Sequence, residues 1–166
     1  MTIRSFHFAG ALNAQLMGMN GVAVGDFFTG HFAFSLKAQP ASTTPTSATY
    51  PLASFVAGVP FVRLQPYGLS MTLETDPQSP SIQVFGQLPF GLYMGVLFRG
   101  GVNVVPNTQL PTTIDLSKFV IENFTICDIQ AALFGFDQTG TPPPAARIFA
   151  RGKIGAITVA TAVPSV

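Results

Sequence analysis

The stretch VAVGDFFTGHFAFSL, Val22–Leu36, decides how the rest of the chain is read. Phe28, Phe32 and Phe34 fall on one side of an extended backbone, with Thr29, His31, Ala33 and Ser35 on the other. Alternation with period 2 marks a strand with one buried face, because successive side chains leave a pleated backbone on opposite sides. Gly25 and Gly30 punctuate the run, where a bulge or a close approach of neighbouring backbone is expected.

The same period returns on either side. In Ser5–Leu12, Phe6 and Phe8 oppose Ser5, His7 and Ala9; in Tyr67–Glu74, Tyr67, Leu69, Met71 and Leu73 oppose Gly68, Ser70, Thr72 and Glu74. Phe90, Leu92, Met94, Val96 and Phe98 make another single-face row, and Arg147–Val159 places Ile148, Ala150 and Ile154 together. Turn residues separate the runs: the Pro/Ser/Thr stretch 39–49, Asp76–Ser81, Gly100–Gly101, Asn107–Thr113, and Asp137–Pro144 with its three closing prolines. One helical turn is expected at Asp115–Phe119, capped by Asp115. Short strands punctuated in this way predict a single all-β domain over 1–166, an antiparallel β-sandwich or jelly-roll. Its surface loops are expected at 39–49 and 137–144.

Composition narrows the setting. Apolar residues make up 48% and charged residues 9%, against roughly 25% charged in an average soluble domain. A surface kept soluble by hydroxyls and amides suits an extracytoplasmic protein. The net charge of +1 has no basic run behind it, so nucleic acid is not an expected partner. The single cysteine, Cys127, leaves no intrachain disulfide and no multi-cysteine metal site, and reads as a small buried residue. Every apolar stretch breaks well short of the roughly 20 residues that span a bilayer. MTIRSFHFAG alternates like a strand and lacks the apolar block of a signal peptide.

Two stretches carry a family resemblance. Phe6–Phe55 runs from an opening strand ending at Gly10, through VAVGDFFTGHFAF and a polar loop, to YPLASF. Leu110–Ile126, LPTTIDLSKFVIENFTI, is followed near the end by ARGKIGAITV, Ala150–Val159. Together they resemble the secreted bacterial proteins that carry a PEP-CTERM sorting tail. The resemblance implies a mature extracytoplasmic β-sandwich and supplies no catalytic residues. The chain ends TAVPSV, without that tail's PEP motif, apolar span and basic end.

The candidate chemistry is sparse. His7 and His31, the two histidines of the chain, both fall on the less apolar face of their strands. If those strands pair as a hairpin through Asn13–Gly21, the imidazoles come together, and Asp26 is the carboxylate considered with them for divalent-metal or acid–base chemistry. The plainer reading is two surface histidines. Glu74 and Asp76 in LETDPQSP suit an ordinary turn better than a calcium site. No Gly-x-Ser-x-Gly elbow and no phosphate-cradling glycine loop occurs. No metal and no cofactor is expected.

Two functions follow. The first is a non-enzymatic, extracytoplasmic structural protein that self-associates into a homo-oligomer. PFGLYMGVLF, Pro89–Phe98, supports it by being apolar on both faces, as a central strand or one covered by a partner would be. The second is a β-barrel that binds or cyclises a small apolar ligand in a Phe/Met-lined cavity. Met94 and Phe98 would line that cavity, with Tyr50, Tyr67, Tyr93 or Arg99 orienting the ligand.

Overall fold

In a computed structural model, which describes residues 2–14, 23–60, 62–128, 132 and 148–162, the alternating stretches become strands of one antiparallel sheet. The strands are β1 (Ile3–Ala14), β2 (Phe27–Ser35), β3 (Ser42–Thr43), β4 (Ser47–Pro51), β5 (Ser54–Val59) and β6 (Val62–Leu64). They continue as β7 (Tyr67–Glu74), β8 (Ser81–Leu88), β9 (Leu92–Gly100), β10 (Phe119–Asp128) and β11 (Ile148–Ala162). Their order across the eleven-stranded sheet is β3-β4-β7-β8-β9-β10-β11-β1-β2-β5-β6. The all-β antiparallel class read from the sequence is the fold.

Chain connectivity forces this sheet to curl. β4 is second from one end and β5 second from the other, yet only Leu52 and Ala53 separate them. β6 is the last strand at its end, and only Gln65 and Pro66 separate it from β7, third from the opposite end. Three extended residue steps reach about 10 Å, so the two ends of the sheet are drawn toward each other and the inner face is enclosed. No ladder joins the ends among the described residues, so the sheet does not close into a barrel.

Phenylalanine fills the enclosed face. Phe6, Phe8, Phe28, Phe32, Phe34, Phe55, Phe98 and Phe124 are all buried, together with Met71, Leu73, Val84 and Met94. Phe6 stacks on Phe32 with ring centroids 5.3 Å apart, and Phe28 on Phe124 at 4.9 Å. Burying each such side chain contributes about 1.5–3 kcal/mol. Glycines make the room. Across the β1–β2 ladder Phe8 faces Gly30 and Gly10 faces Phe28, a reciprocal pair of aromatic-over-glycine contacts. A methyl group on Gly30 would strike the Phe8 ring and the Val56 carbonyl; one on Gly10 would strike Phe28 and the Lys153 carbonyl. The close approach expected at Gly30 is therefore present.

Several expectations are corrected. The Val22–Leu36 strand begins only at Phe27, because Val24 and Gly25 form a turn with Gly25 at φ 94°. The stretch 39–49, expected as a surface loop, carries β3 and the start of β4, paired through Ser42–Thr49 and Thr43–Ala48. Phe90 leaves the apolar row of β9: it sits in the short turn Pro89–Gly91, fully exposed, with φ 65°. Ile148 does not share the face of Ala150 and Ile154. A register shift, with Phe149 the extra residue on β11, pairs Ile148 with Cys127, where it packs on the outer face with Leu97. β9 itself is central, between β8 and β10. The turn expected at Asp115 is a short 3-10 turn, Leu116–Lys118, whose cap Asp115 accepts from the Ser117 backbone N–H. The loop expected at 137–144 lies outside the described residues.

Candidate functional site

The antiparallel register of β1 and β2 sets His7 directly opposite His31. Both side chains leave the outer face, since the flanking residues Phe6, Phe8, Phe32 and Phe34 take the inner one. The ring centroids are 5.4 Å apart with the planes inclined at 37°. The row continues through Thr158 of β11, opposite His7, and Val56 of β5, opposite His31. In the next row Ala156, Ala9, Thr29 and Gly58 lie in register, ending at Arg63 of β6 opposite Gly58. The small side chains of that second row leave a groove of about 650 Å³ on the outer face, bordered by His7, His31 and Arg63.

The electrostatics of this groove are one-sided. His31 is half-buried, and its pKa lies below the ordinary 6.5, first because burial penalises the charged ring, then because His7 and Arg63 repel it. Among the described residues no carboxylate lines the groove. Asp26, considered with the two histidines on sequence grounds, is not part of it. It lies five residues before His31, about 16 Å along an extended strand. There its carboxylate accepts from the Ala23 backbone N–H at 2.8 Å and holds the turn before β2. Among the described residues no group of three or more His, Cys, Asp or Glu side chains converges as a metal site would require.

The residues considered for an apolar ligand do not converge either. Met94 and Phe98 face the core, whereas Tyr93 and Arg99 leave the opposite face of the same strand. Tyr93 packs on Phe85 with ring centroids 5.4 Å apart. Burial lowers the pKa of Arg99 from its ordinary value, and its neighbours across the ladders are Ser81 and Ile121. Tyr67 is mostly exposed at the start of β7. Tyr50 is buried, and its hydroxyl donates to the Thr108 carbonyl at 2.7 Å, tying β4 to the loop that follows β9. A second cavity of about 360 Å³ lies beneath that loop, between Leu73, Ile82 and the polar residues Asn103, Asn107 and Gln109.

The remaining sequence candidates have structural roles. Cys127 is fully buried and its thiol is pushed up to about 12, chiefly by burial and secondarily by Asp128, so it stays protonated at neutral pH. Glu74 accepts from the Asp76 N–H, and Asp76 from the Gln78 N–H, as an ordinary turn requires. Arg63, the charged residue that borders the outer groove, is one that sequence reading missed. β6 is three residues long, paired only with β5 just before it, and too short for alternation to announce it. Comparison with protein-family models, with curated proteins and with solved structures found no match to this chain.

Proposed function

We propose that this chain is a non-enzymatic, extracytoplasmic structural domain that self-associates by pairing β11 with the same strand of a second copy. The observation that carries this reading is the free edge of β11. β1 runs alongside β11 from Arg151 to Ala162, whereas β10 pairs with it only from Ile148 to Lys153. Among the described residues, Ile154–Ala162 therefore has a ladder on one side alone. The short turn Leu116–Lys118 approaches this strand but forms no ladder with it.

The terminal strands of the sheet are blunted in the usual way, since β3 has two residues and β6 three. The β11 edge is not. Gly155–Ala162, GAITVATA, has no charge and no proline, and its Ile, Thr and Val residues favour strands. A two-fold antiparallel pairing of this segment with itself brings no like charges together and satisfies backbone donors and acceptors on both copies. The extracytoplasmic setting rests on the low charge content and on the resemblance to the PEP-CTERM group. The stacked Phe rings of the core weigh against the alternative, a barrel holding an apolar ligand among them.

Light scattering over a concentration series tests the reading, with Ala160→Lys as the probe. Ala160 is exposed and faces outward opposite Ser5, so a lysine there leaves the core alone and guards the edge. The parent is expected to form a discrete oligomer that the lysine variant loses. A parent that stays monomeric at every concentration, or a variant that assembles unchanged, would overturn the proposal.

A further inference from the structure

We infer that the outer groove bordered by His7, His31 and Arg63 binds a small organic carboxylate with a short aliphatic body. Three nitrogen-donor groups converge there from three strands: His7 from β1, His31 from β2 and Arg63 from β6. None of them makes a described hydrogen bond to a carboxylate, and no carboxylate lines the groove among the described residues. From the other two strands that border it, β5 presents Val56 and β11 presents Thr158, so among the described residues Arg63 is the only fixed charge facing the imidazoles. An anion seated between the rings and the guanidinium relieves the repulsion among them. A guanidinium also offers a carboxylate two parallel N–H donors.

The floor argues for a body attached to that head. Ala9, Ala156, Gly58 and Val56 give an apolar strip beside the donors, and about 650 Å³ is a volume typical of small-molecule sites. A divalent cation suits the groove less well. Two imidazoles alone supply half of a tetrahedral set, and the Arg63 charge opposes a metal ion. Because a bound carboxylate favours protonated imidazoles, affinity should rise as the pH falls through the His31 range.

The test is an NMR titration of the imidazole resonances of the whole chain, with hexanoate, hexanol, inorganic phosphate and zinc as separate probes. Hexanoate is expected to raise the His31 pKa by about one unit, equivalent to roughly tenfold tighter binding to the protonated groove. Arg63→Gln, at an exposed position, is expected to keep the dispersed spectrum of the fold and to weaken hexanoate binding at least tenfold. Hexanol should leave both resonances in place. Four outcomes would overturn the inference: no hexanoate effect, an equal effect of hexanol, an equal effect of phosphate, or perturbation by zinc alone. Retention of full hexanoate affinity by Arg63→Gln would overturn it too. The Ala160→Lys edge variant keeps His7, His31 and Arg63, so carboxylate binding and self-association succeed or fail separately.

Discussion

A single residue can be read against its own backbone, and Phe90 is the clearest case. Its φ of 65° and ψ of 30° place a bulky side chain in the left-handed region, while full exposure denies it any packing in return. For an L-residue with a Cβ that conformation costs roughly 1–2 kcal/mol, and asparagine tolerates it best after glycine. Phe90→Asn is therefore expected to stabilise the fold by about 1 kcal/mol. The check is a urea unfolding midpoint that rises with an unchanged slope; an unchanged or lower midpoint would mean that the turn is unstrained. The reading of Phe90 as part of the β9 apolar row failed for the same reason. Alternation reports the period of a strand but not the residue at which the strand stops, and here the left-handed turn at Phe90 and Gly91 ends it. His7 and His31 show what such reading does reach. Counting faces put both imidazoles on the polar side, and the register then made them neighbours.

At the scale of elements, the loop between β9 and β10 is fastened by a few bonds. Tyr50 donates to the Thr108 carbonyl at 2.7 Å, Arg4 to the Pro111 carbonyl at 3.1 Å, and Asp115 caps the turn that returns the chain to β10. Val105 and Ile114 of this loop are buried in the main core, so the loop acts as a lid on the inner face. Tyr50→Phe keeps the ring and removes only the hydroxyl. It is expected to cost about 1 kcal/mol, the usual net worth of one such bond, and to speed amide hydrogen exchange in the loop ahead of the strands. Exchange that accelerates evenly across the sheet would show that the bond serves the whole fold and not the lid. The elements themselves were unequally legible. β1 and β7 alternate because large apolar residues take one face and mostly small or polar ones the other, whereas β9 was legible from the single-face row Leu92, Met94, Val96 and Phe98 despite Leu97 opposite. β8 escaped notice because Gly86 points inward and Phe85 outward, which blurs its contrast. β3, β4 and β6 are two, five and three residues long, too short for alternation to show, so nothing local marks them. Arg63 was lost to the site with β6.

For the whole molecule the one-sided charge of the outer groove becomes a dependence of stability on pH. His31 titrates below 6.5 in the folded chain, because partial burial, His7 and Arg63 all disfavour its charged form. In the unfolded chain those three influences are gone and the ring returns to its ordinary value. Between the two values the unfolded state holds the extra proton, so protonation draws the equilibrium toward unfolding. Stability should be level above about pH 7 and should fall as the pH drops through 6.5 and then through the lower folded value. Asp115, held below 3.8 mainly by its hydrogen bonds with Ser117, acts in the same direction but only as the pH falls through 3.8, well below where the His31 window opens. Because His31 is only half-buried, the slope should be shallow. The comparison that isolates it is His31→Gln, which keeps a polar side chain on the outer face and removes the titration. Urea unfolding of parent and variant at pH 8, 7, 6 and 5 should give midpoints that diverge only below pH 7, with the variant the flatter of the two. Parallel curves over the whole range would mean that the imidazole is as free in the folded chain as in the unfolded one. The repulsion on which the groove's preference for an anion rests would then be absent.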